Sequence, residues 1–194
     1  MTIAETRERI LDASSQAIIA KSYNGVGLNK ILKNAGVPKG SFYHHFKSKE
    51  DLAIAVIEKS TAEHLDRVRE FLTDRSRSPL ERLREAFRLA REVLVEQGFN
   101  RECLVPKMAL EIANLSEPVR AAIKCGMDQF RSLVAQCIRE AQAAGEVDGS
   151  HDPEALAGFI QASWEGVMIR TQIDRDIAPV DEFVGYIFDT FLKR

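Results

Sequence analysis

The sequence of 194 residues lacks the marks of several large protein classes. It has only three cysteines, Cys103, Cys125 and Cys137, and no C-x-x-C pair. That argues against a disulfide framework and a zinc knuckle, and leaves three reduced thiols. Every apolar stretch is broken well before the roughly 18 residues that a spanning helix needs. The start, MTIAETRERILD, carries no apolar signal-peptide core, so a cytoplasmic location and no membrane partner are expected. Few segments show the two-residue alternation of a strand, and there is no internal repeat or low-complexity tract. G-x-S-x-G and H-E-x-x-H are absent. Gly36-Val37-Pro38-Lys39-Gly40-Ser41 fails as a phosphate loop because its lysine precedes the second glycine. His44 and His45 have no cysteine or carboxylate at ligand spacing. No cofactor, metal or catalytic residue is expected.

What is present is a globular composition, 45% hydrophobic and 29% charged, with a net charge of −2. That fits one folded unit or two small ones. The charge is uneven. Residues 1–51 hold eight basic and five acidic side chains, a surplus of +3, so the remainder carries −5. A basic end on a larger acidic body points to an anionic partner for the first part alone, which favours nucleic acid.

Turn signals cut the chain into helix-sized pieces, so the fold class is all-α, with about nine helices. The spacing predicts helices over about 3–21, 28–35, 39–45, 48–72, 80–96, 101–114, 117–144, 153–173 and 180–192. Ser48, Ser116 and Asp152 are placed to cap, with proline in the first turn after the last two. The polar stretch Thr73 to Pro79 reads as a loop.

Residues 27–46, GLNKILKNAGVPKGSFYHHF, have helix-turn-helix spacing, with Gly36 in the turn. Phe42 and Phe46, four apart, fix the inner face of the second short helix. At 100° per residue Gly40 and His44 then point outward, with Ser41 and Tyr43 on the flanks and Lys39 in the first turn. In a major groove, Lys39 can reach guanine or a phosphate, Ser41 and Tyr43 can donate to phosphates or base edges, and Gly40 permits close backbone approach. Lys49, at the next helix start, can hold a phosphate. An ordinary helical hairpin with a wet outer face has the same composition.

VPKGSFYHHFKSKEDL, preceded by GVGLNKILKNAG, resembles the N-terminal DNA-binding domain of the TetR family of bacterial transcriptional regulators, over about the first 55 residues. The resemblance implies a helix-turn-helix domain over 1–48 and a sensing and dimerisation domain over 49–194. It places Asn29 and Lys30 in the second helix near a base or phosphate, puts Lys39, Gly40, Ser41, Tyr43 and His44 on the recognition helix, and makes Lys49 a phosphate anchor. Two residues depart from the family pattern: Ser22 stands where a glycine is usual after the first helix, and Gly27 replaces a Ser/Thr cap.

In the larger part, Phe183, Val184, Ile187, Phe188, Phe191 and Leu192 cover about half of a helix circumference, wider than the roughly 100° stripe a core-facing helix needs. Leu156, Phe159, Ile160, Trp164, Val167 and Met168 are similarly broad. The expected dimer interface comprises Leu156, Phe159, Ile160, Val167, Phe183, Ile187, Phe188 and Phe191; TetR-like proteins dimerise through two such helices. Cys103 sits near a helix start beside Arg101 and Lys107, features that favour a thiolate. RECLVPKMALEIANLSEPVR also resembles the branch of the family in which a cysteine senses electrophiles or oxidants. Cys103, Lys107, Met108, Met127, Phe130, Trp164 and Met168 are candidate sensor or ligand residues, although methionine and aromatic stripes also make plain core. The reading is a homodimeric repressor, not an enzyme, that binds a palindromic operator in double-stranded DNA and is released by a small-molecule or electrophile effector. The rivals are a helical enzyme and a helical interaction adaptor.

Overall fold

In a computed structural model of the chain, residues 2–99 and 104–192 are described. They form α1 (Ile3–Lys21), α2 (Leu28–Ala35), α3 (Lys39–Phe42), α4 (Lys49–Leu72), α5 (Pro79–Glu96), α6 (Leu104–Ile112), α7 (Glu117–Ala143), α8 (Pro153–Asp174) and α9 (Ala178–Tyr186). A five-residue π-helical turn, Ile187–Phe191, follows α9. Among the described residues there is no strand, and no helix is long and apolar enough to cross a membrane.

Side-chain caps set the helix starts. Thr2 and Glu5 form a reciprocal capping box on α1, and Ser78 and Glu81 form one on α5. The Ser48 hydroxyl accepts the Asp51 N–H (3.0 Å), and an Asp152 oxygen accepts the Glu154 N–H (3.0 Å). Two elements differ from the sequence expectation. The helix expected to reach His45 ends at Phe42, and residues 43–45 continue as turns closed by His45 N–H to Phe42 O (2.9 Å) and Phe46 N–H to Phe42 O (3.0 Å). The last helix starts earlier than expected, at Ala178, and widens at Ile187, where the Leu192 N–H reaches back five residues to Ile187 O (2.8 Å). The wider turn accompanies the burial of two consecutive side chains, Ile187 and Phe188.

The chain folds as two compact units, Met1–Glu63 with Glu102–Met127, and His64–Arg101 with Asp128–Arg194. The core of the first does not stop at residue 48. Ile10 and Ile18 of α1, Ile31 and Leu32 of α2, Phe42 and Phe46 share one buried cluster with Leu52 and Ile57 of α4, Met108 and Ile112 of α6, and Val119 and Ile123 of α7. Each large aliphatic or aromatic side chain so buried contributes about 1.5–3 kcal/mol, so α6 and the start of α7 help to hold the short helices α2 and α3. In the second unit Phe87 of α5 packs edge-on against Trp164 (5.0 Å between centroids), Phe183 (5.3 Å) and Phe188 (6.0 Å). There the buried Arg82 guanidinium donates to Leu72 O (2.6 Å) and to a Glu140 carboxylate oxygen (2.7 Å), tying the end of α4 to α7.

Ser22 ends α1 at φ 81°, ψ 161°, a backbone region that is essentially reserved for glycine. A glycine is what the resemblance noted above leads one to expect at this position, and the backbone keeps the conformation that a glycine would take freely. The Ser22 hydroxyl accepts the Gly25 N–H at 3.1 Å, which offsets part of the cost. Ser22→Ala and Ser22→Gly both lose that bond, and only alanine keeps the strain. Urea unfolding should find the glycine variant more stable than the alanine variant by about 1 kcal/mol; equal stabilities, or the reverse order, contradict the strain.

Candidate nucleic-acid interface

The candidate surface is built by burying one side of two short helices. In α2, Ile31, Leu32 and Ala35 are buried while Asn29 and Lys30 are exposed. Gly36 closes the helix in the left-handed region (φ 63°), and the Val37 N–H reaches Leu32 O at 3.0 Å, satisfying an orphan carbonyl. A Cβ at Gly36 would lie 2.6 Å from a terminal Arg9 nitrogen, the movable end of a flexible side chain, so it is the positive φ rather than lack of space that calls for glycine in this turn. The chain then re-enters helix through Pro38.

In α3 and the turn after it, Phe42 is 0% exposed and Phe46 3%, with ring centroids 5.6 Å apart. Arg7 covers the Phe46 ring at 5.4 Å. Lys39, Gly40, Tyr43 and His44 are exposed, and Ser41 is half-buried. Tyr43 is 57% exposed and leans edge-on against Phe42 at 5.1 Å, which fixes the ring while leaving its surface to solvent. An ammonium, an imidazole, two hydroxyls and a glycine therefore share one outward surface, a set able to meet phosphates and base edges. α1 and α4 are tied behind it. The Lys59 ammonium donates to Glu8 (2.6 Å) and Asp12 (2.7 Å), and these hydrogen bonds, led by that of Asp12, push its pKa up to about 12.

Lys49 differs from the other candidates. Its ammonium donates to Tyr23 O at 2.6 Å and lies 4.2 Å from the centre of the Tyr23 ring. Burial holds it below the ordinary lysine value, against the attraction of Glu111. Lys47, two residues earlier, is exposed and was not singled out from the sequence. The two lysines of K-S-K are equivalent as letters, and only the contact with Tyr23 separates them.

The expected sensor residues are distributed over both units. Cys103 lies outside the described residues. Lys107 donates to Ile19 O, the carbonyl near the end of α1. Met108 is fully buried and Met127 partly buried in the core of the first unit, whereas Phe130, Trp164 and Met168 pack in the second. Phe130 stacks on His64 with centroids 5.4 Å apart. Cys137 is buried, its thiol donates to Pro79 O (3.1 Å), and burial pushes its pKa up to about 11. That environment makes an inert thiol. Cys125 is exposed.

The expected interface residues divide in two. Ile160, Phe183, Ile187 and Phe188 are buried in the protomer's own core and present no surface to a partner. The stripe is broad because α8 and α9 each have an inner and an outer apolar side. Leu156 and Val167 are half-buried, while Phe159 and Phe191 are 50% and 54% exposed and pack edge-on at 6.0 Å. An open groove of about 480 Å³ runs between these rings, Arg170 and Tyr186. Glu165, half-buried on α8, has its carboxyl raised by burial.

Two family models match the chain. The one described as bacterial regulatory proteins, tetR family, covers residues 10–56, and the one described as tetracyclin repressor-like, C-terminal domain, covers 79–187. The transcriptional regulator AcuR of Cereibacter sphaeroides is 37% identical over 187 residues, 96% of this chain and 85% of that protein. The repressor DhaR of Mycobacterium sp. (strain GP1) is 31% identical over 99% of this chain and 95% of its own. Among solved structures, regulatory protein TetR from Rhodobacter sphaeroides superposes with a TM-score of 0.86 at 36% identity, covering 95% of this chain and 98% of that one. The reduced form of Escherichia coli NemR superposes with a TM-score of 0.89 at 28% identity, covering 97% and 99%.

Gly40 tests the outward surface. A Cβ built there meets no atom within 4 Å, and its φ is ordinary, so nothing inside the protomer requires a glycine. Glycine is nonetheless a poor helix former, by up to about 1 kcal/mol against alanine. Gly40→Ala should raise the stability of the free protein by some tenths of a kcal/mol, to about 1, and lower its affinity for DNA. Thermal unfolding and a gel-shift titration measure the two effects; a gain in stability with unchanged DNA affinity contradicts a close approach of DNA at this residue.

Proposed function

Because the chain belongs to the TetR family of bacterial transcriptional regulators and is a DNA-binding regulator of that type, we propose that it acts in the cytoplasm as a homodimeric repressor on a palindromic operator. Residues 1–48 supply the contacts with DNA, and 49–194 supply dimerisation and the response to an effector. The observation that carries this reading is the outward surface of α3, polar and exposed, backed by the buried Phe42 and Phe46. Lys39, Gly40, Ser41, Tyr43 and His44 meet the major groove, and Asn29 and Lys30 of α2 meet its edge and the backbone. Lys49 reaches a phosphate only by leaving the Tyr23 carbonyl, so Lys47 is added as a phosphate contact.

The exposed rings Phe159 and Phe191, with the half-buried Leu156 and Val167, form the surface that meets a second copy. A dimer that reads a palindrome places its two recognition helices about 34 Å apart, one turn of DNA, or a multiple of that. Cys103, near Lys107 in sequence, is the proposed electrophile- or oxidant-sensing thiol. Met108, Met127, Phe130, Trp164 and Met168 are the apolar residues proposed to respond to an adduct or a small effector.

The DNA flanking the gene for this protein is the natural probe. Wild-type protein should shift a palindromic segment of it with a steep salt dependence, whereas an enzyme or a protein-binding adaptor shows none. Lys39→Ala should weaken binding and reduce the salt slope by about one unit, as one lost phosphate contact requires. Tyr43→Phe should cost about 1 kcal/mol of affinity. Unchanged affinity in both variants contradicts the assignment of α3.

Assembly gives a second test, by contrast between neighbours. Phe191→Glu places a charge on the exposed side, and should yield folded monomers that bind the operator at least tenfold more weakly. Phe188→Glu buries a charge beside Phe87 and should unfold the chain. Sedimentation with circular dichroism separates the two; a Phe191→Glu dimer with normal affinity removes this interface.

A further inference from the structure

Helix α6 carries Lys107 and Glu111 four residues apart, on one face. Their order is wrong for the helix itself. A carboxylate one residue from the C-terminal end of α6 opposes the helix dipole, and lysine four residues before glutamate is the weaker orientation of such a pair. Both side chains are instead directed at the backbone of another element. Glu111 spans two consecutive peptide groups of the turn between α1 and α2: one oxygen accepts the Tyr23 N–H at 2.8 Å and the other accepts the Asn24 N–H. Consecutive N–H groups converging on one anion form a small concave anion site. Lys107 donates to Ile19 O, near the negative end of α1. The ammonium of α6 thus meets a carbonyl at the C-terminal end of α1, and its carboxylate meets two N–H groups of the turn that follows.

The turn is also gripped from its other side, since the Lys49 ammonium donates to Tyr23 O at 2.6 Å. Tyr23 therefore has its N–H held by α6 and its carbonyl by the start of α4. Burial raises the Glu111 carboxyl, but the Asn24 and Tyr23 bonds, a bond from the Ser22 hydroxyl and the attraction of Lys107 together outweigh it, and the group stays below the usual carboxylate range. The ionised form needed for both bonds is the one present. Ser116, just after α6, adds a bond to Glu50 (2.6 Å).

We propose that Glu111, assisted by Lys107, is a positioning residue for DNA binding: it fixes the turn at residues 22–27 and with it the start of α2, where Asn29 and Lys30 stand. The inference rests on the DNA-binding reading above. It concerns a residue more than 60 positions away from the helix-turn-helix in sequence and makes no contact with DNA itself. Ser22 shows why such a clamp is needed. The turn begins with a strained residue and is only six residues long, so its conformation has to be held from outside.

Glu111→Gln is nearly isosteric and places an amide nitrogen against one of the two N–H donors. Simple electrostatics and the clamp predict opposite signs. Removing a negative charge from a DNA-binding unit strengthens binding by charge alone, whereas losing the clamp weakens it. Fluorescence anisotropy with the full-length protein and the operator duplex, across a salt series, should show affinity about tenfold lower, as the loss of a charge-assisted bond implies. The salt slope should be unchanged, because no phosphate contact is lost. Hydrogen exchange without DNA should show faster exchange at Tyr23 and Asn24 with the Phe42 region still protected. Equal or tighter binding by Glu111→Gln, or exchange at Tyr23 and Asn24 as slow as in the wild type, overturns the proposal.

If Glu111→Gln fails to fold, Lys107→Met takes its place. It should lower affinity severalfold at constant salt slope, and a slope reduced by about one unit would make Lys107 a phosphate contact and overturn its role here. The exchange measurement does not depend on DNA. Faster exchange at the turn, with a wild-type protein that binds no DNA specifically, would refute the functional reading and leave the clamp standing as structure alone.

Discussion

Everything that the proposed DNA-reading surface does depends on burying Phe42. A helix of four residues has no stability of its own, because nucleation is unfavourable and so few intrahelical bonds follow. α3 exists because Phe42, and Phe46 one turn later, are drawn into a core that already contains Ile10, Ile18, Ile31 and Leu32. Once those two rings are fixed, the helix and the tight turns that follow it leave Lys39, Gly40, Tyr43 and His44 outside. The chemistry of recognition is thus set by the side chains that do not take part in it.

That core is larger than the helix-turn-helix. α4 gives it Leu52 and Ile57, α6 gives it Met108 and Ile112, and α7 gives it Val119 and Ile123. Polar tethers follow the same layout: Lys59 joins α4 to Glu8 and Asp12 of α1, and Glu111 and Lys107 join α6 to the turn after α1. A small domain alone buries too little surface to be secure, and here the remainder comes from helices far along the chain. α4 and α7 each begin in this unit and end in the other.

Much of this was legible in the sequence. The helices were marked by side chains with clear local chemistry: Ser48, Ser116 and Asp152 cap, and Gly36 supplies the positive φ that the turn needs. The inner and outer faces of α3 followed from two phenylalanines at a spacing of four. What was not legible depended on partners distant in sequence. K-S-K does not tell which lysine will meet Tyr23. The apolar stripes of α8 and α9 do not tell which side faces the protomer's own Phe87, so Ile160 and Phe188 read like Phe159 and Phe191 until their packing is seen. Nothing in the sequence sets Glu111 apart from other charged residues, because its partners are backbone N–H groups, which every sequence has and none displays.

The central claim is that DNA is read by the outward surface of α3 and the start of α2, held by a core that does not itself touch DNA. Hydrogen exchange of the full-length protein with and without operator duplex tests it most directly. The account predicts added protection over residues 28–30 and 37–47, and unchanged exchange over the apolar face of α8 and α9. Protection that appears on α8 and α9 while residues 37–47 stay as they were would contradict it.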